Sequence, residues 1–209
     1  MTESSHSFDL IGEFCSQYFE DRQKESPYAM WAYVKNIPKG MRDLARRPDD
    51  DDDESSCCWK PIPGTVSEKD LRQLTSFFVH PLPLSYRYFL QQWHFIDMYL
   101  NQNDVRFFPN LPHQLTRKFR EIIDKFYGGL PQRGLLPIAN FGDWGVVCFD
   151  ARKPIPDSDY PVVVLDHGDG YTNPMNYATT FREMFERERD GWVWVGVSGW
   201  KLKIEYRSG

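Results

Sequence analysis

No stretch of this sequence is apolar for the roughly 18 residues a membrane-spanning helix needs. Its first residues, Met1–Asp9, are polar and acidic and lack the apolar core of a secretory signal. The expectation is a cytoplasmic protein with no membrane partner. Cysteine is scarce: the four, at 15, 57, 58 and 148, form no C-x-x-C pair, and sequence neighbours such as Cys57 and Cys58 seldom bridge without strain. The five histidines, at 6, 80, 94, 113 and 167, are scattered, without the paired spacing of a zinc site. Neither a disulfide nor a metal is expected, which suits a reducing compartment. Gly168-x-Gly170 lacks the third glycine and the lysine of phosphate-binding loops. There is no G-x-S-x-G elbow, and no Cys has a His in a recognisable local context. No catalytic residue and no cofactor is predicted, so the chain is not expected to be an enzyme. Nor does the sequence contain the clustered Lys and Arg with interleaved aromatics of a nucleic-acid-binding face.

Aromatic residues are plentiful instead: 15 Phe, 11 Tyr and 7 Trp. A chain of 209 residues can bury about 70% of the surface its unfolded form exposes, so packing alone can hold it. The net charge of −5 is concentrated in one place. The run Asp49–Glu54 contributes −6, and the other residues sum to +1. Like charges so crowded repel one another and bury nothing, so residues 48–58 read as an acidic linker. Before it lies a helical N-terminal extension, residues 1–47. Phe8, Ile11, Cys15 and Tyr18 follow helical spacing, with Phe14 and Phe19 widening the stripe. Pro27 can start a second short helix through Tyr28, Trp31 and Val34, ending near Pro38-Lys39-Gly40.

Residues 59–209 read as an α+β domain. Ser67 and Asp70 make a capping-box-like helix start, with Leu71, Leu74 and Phe78 on one face. Tyr86, Phe89, Leu90 and Trp93 mark a second amphipathic helix. A third runs from about His113 to Tyr127, with Leu115, Phe119, Ile122, Ile123 and Phe126 inward, and Gly128-Gly129 stops it. Strands are expected at 135–139, 144–150 and 161–166, then a helix over 177–188 with Ala178, Phe181, Met184 and Phe185 inward. Trp192–Tyr206 reads as a C-terminal β-hairpin turning at Ser198-Gly199. The order of elements points to a mostly antiparallel sheet packed against helices.

Two residue groups invite a functional reading. Asp143, Asp150, Asp166, His167 and Asp169 lie at strand ends, where carboxylates and an imidazole can bind a divalent cation or move protons. Asp166-His167-Gly168-Asp169-Gly170 is equally good turn chemistry, which is the preferred reading. Trp144, Tyr160 and Tyr171 fall at loop or strand-edge positions beside Asp143, Asp159 and Asp169. Aromatics ringed by acids can anchor a protein partner. Residues 143–169 hold six acids and two bases, a charge of −4 that would steer a basic partner. The candidate partner-binding set is Asp143, Trp144, Asp159, Tyr160, Asp166, Asp169 and Tyr171.

The stretch from Trp59 to Glu188 resembles the SUKH superfamily, named in part after yeast regulators of cell-wall synthesis. Val66-Ser67-Glu68-Lys69-Asp70-Leu71 looks like its opening helix, and Leu82-Pro83-Leu84-Ser85-Tyr86-Arg87-Tyr88-Phe89-Leu90 like its L-P-x-x-Y-x-x-F-L segment. Leu136-Pro137-Ile138-Ala139, Gly142-Asp143-Trp144-Gly145 and Val147-Cys148-Phe149-Asp150 resemble its strand, Gly-Asp turn and strand ending in Asp. Pro161–Val164 with Asp166-His167, and Tyr177–Phe185, resemble its next strand and closing helix. Trp93-His94-Phe95 stands where the family usually has Asn-Gly-Gly, and Leu111–Tyr127 reads as an insertion before the sheet. The resemblance implies a mixed sheet packed on helices and a bacterial role as a cytosolic immunity protein. Such a protein binds a cognate toxin domain, often a nuclease, as a monomer forming a 1:1 heterodimer. The alternative it implies is a regulatory interaction module in signalling or cell-wall assembly, with residues 1–47 and the linker as a docking arm. A metal-dependent hydrolase built on Asp143, Asp166, His167 and Asp169 is the competing enzymatic reading.

Overall fold

The computed structural model describes residues 3–46, 54–100, 104–155, 159–197 and 201–206. Helix α1 (Glu3–Lys24) buries Ile11, Cys15 and Phe19, one turn apart along a single stripe. That stripe reaches the core shared with the rest of the chain: Phe14 meets Phe185 at 5.3 Å, and Phe19 meets Trp93 and Phe95 at 6.0 and 5.9 Å.

The expected second helix does not form. Pro27–Met30 is a 3-10 turn, and β1 (Trp31–Tyr33) follows as a strand. Its aromatic side chains suit a pleated surface better than a helix, and a strand is there to pair with it. β2 (Arg42–Asp43) and β3 (Ser56–Trp59) complete a three-stranded sheet in the order β1-β3-β2. Residues 56–58, expected in the linker, are therefore the central strand of this sheet and are buried. Cys57, Cys58 and Trp59 form an apolar run that follows the acids after two serines, Ser55 and Ser56. The acids Asp49–Asp53 themselves lie outside the described residues. No disulfide forms among the four cysteines, all of them buried, and burial pushes the Cys15 and Cys148 thiols up, away from reactive thiolate.

β4 (Ile62–Pro63) leads into α2 (Glu68–Phe78), where the capping box is complete. The Ser67 hydroxyl accepts from the Asp70 N–H at 3.3 Å, and the Asp70 carboxylate accepts from the Ser67 N–H at 2.9 Å. Ser67→Ala removes one side of this exchange and is expected to cost about 1 kcal/mol, measurable by urea unfolding. α3 (Leu84–Gln92) buries Tyr86, Phe89 and Leu90. It ends one residue before Trp93, which opens β5 (Trp93–His94), the antiparallel partner of β4.

Six strands form an antiparallel meander: β6 (Tyr99–Leu100), β7 (Val105–Phe107), β8 (Leu135–Phe141), β9 (Gly145–Asp150), β10 (Val162–Asp166) and β11 (Met175–Ala178). β6 and β7 are too short to show a periodic signal. α4 (Leu115–Phe126) interrupts the meander between β7 and β8 rather than preceding the sheet. α5 (Phe181–Arg189) and the hairpin β12 (Trp192–Val197) with β13 (Lys201–Tyr206) close the chain, and the expected Ser198-Gly199 turn lies outside the described residues. Both faces of the meander are covered, so every residue of β9 is buried. Phe107 packs on α3 and α5, meeting Phe89 at 4.9 Å and Phe181 at 6.1 Å. The next residue, Phe108, packs on α4 through Phe119 at 5.5 Å. Extended chain places neighbours on opposite faces.

Two helical expectations need correction. In α4 the buried stripe advances by four residues, through Leu115, Phe119 and Ile123, to Tyr127. Phe126 falls off that stripe and is 54% exposed, with the Lys125 ammonium 4.8 Å from its ring centre. The closing helix begins four residues later than expected, because Tyr177 and Ala178 belong to β11, the strand that pairs with β10. Thr180 is the N-cap: its hydroxyl accepts from the Glu183 N–H at 3.1 Å, while the Glu183 carboxylate accepts from the Thr179 N–H at 2.5 Å. This T-x-x-E start is visible in the sequence.

His94, where the family's Asn-Gly-Gly is expected, is fully buried. Its Nε2 accepts from the Thr65 N–H at 3.0 Å, so the ring is neutral, and Nδ1 donates to the Asn110 carbonyl at 3.2 Å. Burial, the largest influence, holds its pKa below the usual histidine value. The unfolded chain therefore takes up this proton first, so the His94 contribution is complete above about pH 6.5 and is lost as pH falls from there through the folded value. Stability of the wild type at pH 7.5 and 5.0 is expected to differ more than that of His94→Gln, as read by guanidinium unfolding.

Candidate functional site

The β8–β9 turn and the β10–β11 loop form one edge of the sheet. Register explains this: Gly145 pairs with Asp166 across β9 and β10, so the residues just before one and just after the other are neighbours. Gly142, at φ +51°, makes the first turn in a region that favours glycine, and its N–H donates to the Asp104 carbonyl. The turn presents Asp143, which is exposed, and Trp144, which is half-buried with its ring 4.9 Å from Phe141. The His167 N–H donates to the Trp144 carbonyl at 2.9 Å, and the His167 ring Nδ1 donates to the same oxygen at 2.5 Å. A carbonyl only accepts, so the ring carries a proton on Nδ1.

The longer loop is held by its own carboxylates. Asp166 accepts from the Gly168 N–H at 2.6 Å, and its backbone carbonyl accepts from the Tyr171 N–H at 2.9 Å. Asp169 accepts from the Thr172 N–H at 3.0 Å, the Asn173 N–H at 3.2 Å and the Asn173 side-chain amide at 2.9 Å. Desolvation works to raise the Asp169 pKa, but these hydrogen bonds outweigh it and hold the carboxyl below the usual range. Tyr171 sits at φ +61°, unusual for a residue with a side chain. It is tied down from outside the loop: Arg133 donates to its carbonyl at 2.8 Å, and its ring stands edge-on to Tyr127 at 5.8 Å.

Five of the seven candidate residues, Asp143, Trp144, Asp166, Asp169 and Tyr171, thus come together. Asp159 and Tyr160 do not. They precede β10 at the opposite end of the sheet, where Val162 pairs with Phe149. Tyr160 is buried, its ring 6.4 Å from Phe149, rather than at an exposed edge. Desolvation raises the Asp159 carboxyl, while hydrogen bonds from the Tyr160 and Phe181 backbone oppose it. Asp150 is at that end too, fully buried and bound by Arg152 at 2.6 and 3.0 Å. Tyr127 and Arg133 are the site residues that sequence reading missed. Each lies beside a glycine-containing turn, which looks like punctuation and gives no hint of a long-range role.

The edge cluster offers a polar surface. The carboxylates of Asp166 and Asp169 are already accepting from the loop backbone, and among the described residues no group of three or more His, Cys, Asp or Glu side chains is placed to hold a metal ion.

Residues 65–187, more than half of the chain, match the model of the SMI1/KNR4 family (SUKH-1). The chain belongs to this family. The SUKH-1 match runs from just before the α2 capping box into α5 and takes in the whole six-stranded sheet and the edge cluster. α1 and the small sheet of β1, β2 and β3 lie outside it. No curated protein matches the chain. No helix among the described residues is long and apolar enough to cross a membrane.

Proposed function

We propose that this chain is an immunity protein, which binds the toxic domain of a cognate protein toxin in a cytoplasmic 1:1 complex and blocks it sterically, without catalysis or a cofactor. Membership of the SUKH-1 family supports the reading. The observation that carries it is the edge cluster: Trp144, half-exposed, is held beside Asp143, Asp166 and Asp169 by two rigidly hydrogen-bonded turns. A fixed aromatic anchor ringed by acids is suited to a basic partner such as a nuclease domain, whose capture it would accelerate. An interface of ordinary size, on the order of 1,600 Å² in total, would cover this edge and its surroundings. The regulatory-module reading needs the N-terminal segment as a docking arm, but Ile11, Cys15 and Phe19 of α1 are packed in the core.

The test is to look for a large secreted protein encoded beside this gene and to co-express its C-terminal domain with this chain. An equimolar complex on size exclusion and suppression of that domain's toxicity are expected. Absence of a complex with that domain, or several weak partners of unrelated kinds, would overturn the reading.

A further inference from the structure

The fold makes a cationic cluster that the sequence does not contain. α2 and α4 lie side by side and run in the same direction. At one end His113, just before α4, acts electrostatically on Asp70 in the first turn of α2. Further along, the Arg120 guanidinium lies 5.3 Å from the Phe77 ring centre, and Phe78 meets Phe119 at 6.1 Å. Between the solvent faces of the two helices is an open groove of about 620 Å³, lined by Lys69 and Arg72 of α2 and by Thr116, Arg117 and Arg120 of α4. Arg117 is engaged by Glu121 at 2.7 Å. Among the described residues Lys69, Arg72 and Arg120 make no ion pair. On the groove wall the Thr116 hydroxyl oxygen is buried and finds no hydrogen-bond partner among them. Four like charges drawn into one concavity repel one another, and an anion laid between them relieves that repulsion.

We propose that this groove docks a short acidic segment of a protein, a run of Asp and Glu lying along the two parallel helices. The rims select for shortness. Glu68 and Asp70 flank it at the start of α2, and Glu121 and Asp124 follow on α4. A phosphate backbone continuing past the groove would meet these carboxylates, and the chain as a whole carries −5, whereas a short acidic peptide ends within the cationic stretch. The site is separate from the Trp144 edge and opposite in charge, so it stands or falls independently of the immunity reading.

The experiment is fluorescence anisotropy of a labelled hexaglutamate peptide with the full chain at low ionic strength. Saturable binding that weakens with added salt is expected. Arg72→Glu/Arg120→Glu should weaken it about tenfold, ~1.4 kcal/mol. The charge-matched control Lys35→Glu/Lys39→Glu, outside the groove, should change it less than about twofold. Because Arg120 rests on Phe77, the single variant Lys69→Glu provides a reading that does not disturb that contact, and thermal unfolding confirms that each variant is folded. Absence of saturable binding, or equal losses in groove and control variants, would overturn the proposal. So would tighter binding of a charge-matched oligothymidylate than of the peptide, which would make the groove a nucleic-acid site.

Discussion

Replacing Phe181 by alanine is expected to remove about 3–5 kcal/mol of folding stability, out of the roughly 5–15 kcal/mol that a domain possesses. Phe181 is the first residue of α5 and is fully buried. Its ring lies 5.1 Å from Tyr86, 5.4 Å from Phe89, 5.6 Å from Phe149 and 5.1 Å from Phe185. It therefore joins α3, α5 and the central strand β9 at one point. A cavity there cannot collapse readily, because each neighbour is itself fixed by other rings: Phe89 by Phe107 at 4.9 Å, and Phe185 by Phe14 of α1 at 5.3 Å. Urea unfolding of the two proteins measures the loss. Phe126→Ala is the contrast, since that ring is 54% exposed and its removal should change stability by no more than about 0.5 kcal/mol. A loss at Phe181 below about 1 kcal/mol would mean that the aromatic cluster is not the centre of the fold.

The same cluster shows why the architecture was legible in the sequence. Tyr86, Phe89 and Leu90, and Phe181, Met184 and Phe185, recur at helical spacing, while Val146–Phe149 and Val162–Leu165 are continuous apolar runs of the kind that strands buried on both faces produce. What was not legible depended on distant partners. Trp31–Tyr33 becomes a strand because Ser56–Trp59 is there to pair with it, and β7 is a strand of only three residues, flanked by β6 and β8. The two candidate surfaces divide in the same way. Asp143-Trp144 and Asp166–Tyr171 carry local turn signals, so their places at strand ends were readable. Their supports, Tyr127 and Arg133, reach Tyr171 across more than thirty residues of sequence. The groove of Lys69, Arg72, Arg117 and Arg120 exists only because Phe78 and Phe119 bring two helices together. Charge patterning along the chain describes neighbours in sequence, and this cluster is made by packing.

On the proposed immunity reading, Asp143→Lys is expected to slow association with the toxin domain about tenfold at low ionic strength while leaving the melting temperature unchanged. Among the three acids of the edge cluster, Asp143 is the clean probe. It is exposed, and its neighbours Asp166 and Asp169 hold the loop through hydrogen bonds to Gly168, Thr172 and Asn173, so replacing either would disturb structure as well as charge. Stopped-flow association at increasing salt separates steering from contact. The ratio of wild-type to variant rates should shrink as the screening length falls from about 30 Å at 0.01 M to about 8 Å at 0.15 M. Trp144→Ala should act on the other rate, speeding dissociation, because a half-buried ring serves as an anchor only after encounter. If both rates are unchanged in both variants while the complex still forms, the toxin docks elsewhere. Slower association in Arg72→Glu would then point to the cationic groove of α2 and α4, because a toxin steered to that groove must carry acidic charge. A toxin steered to the Trp144 edge must be basic, so the sign of the salt-sensitive charge decides which surface meets it.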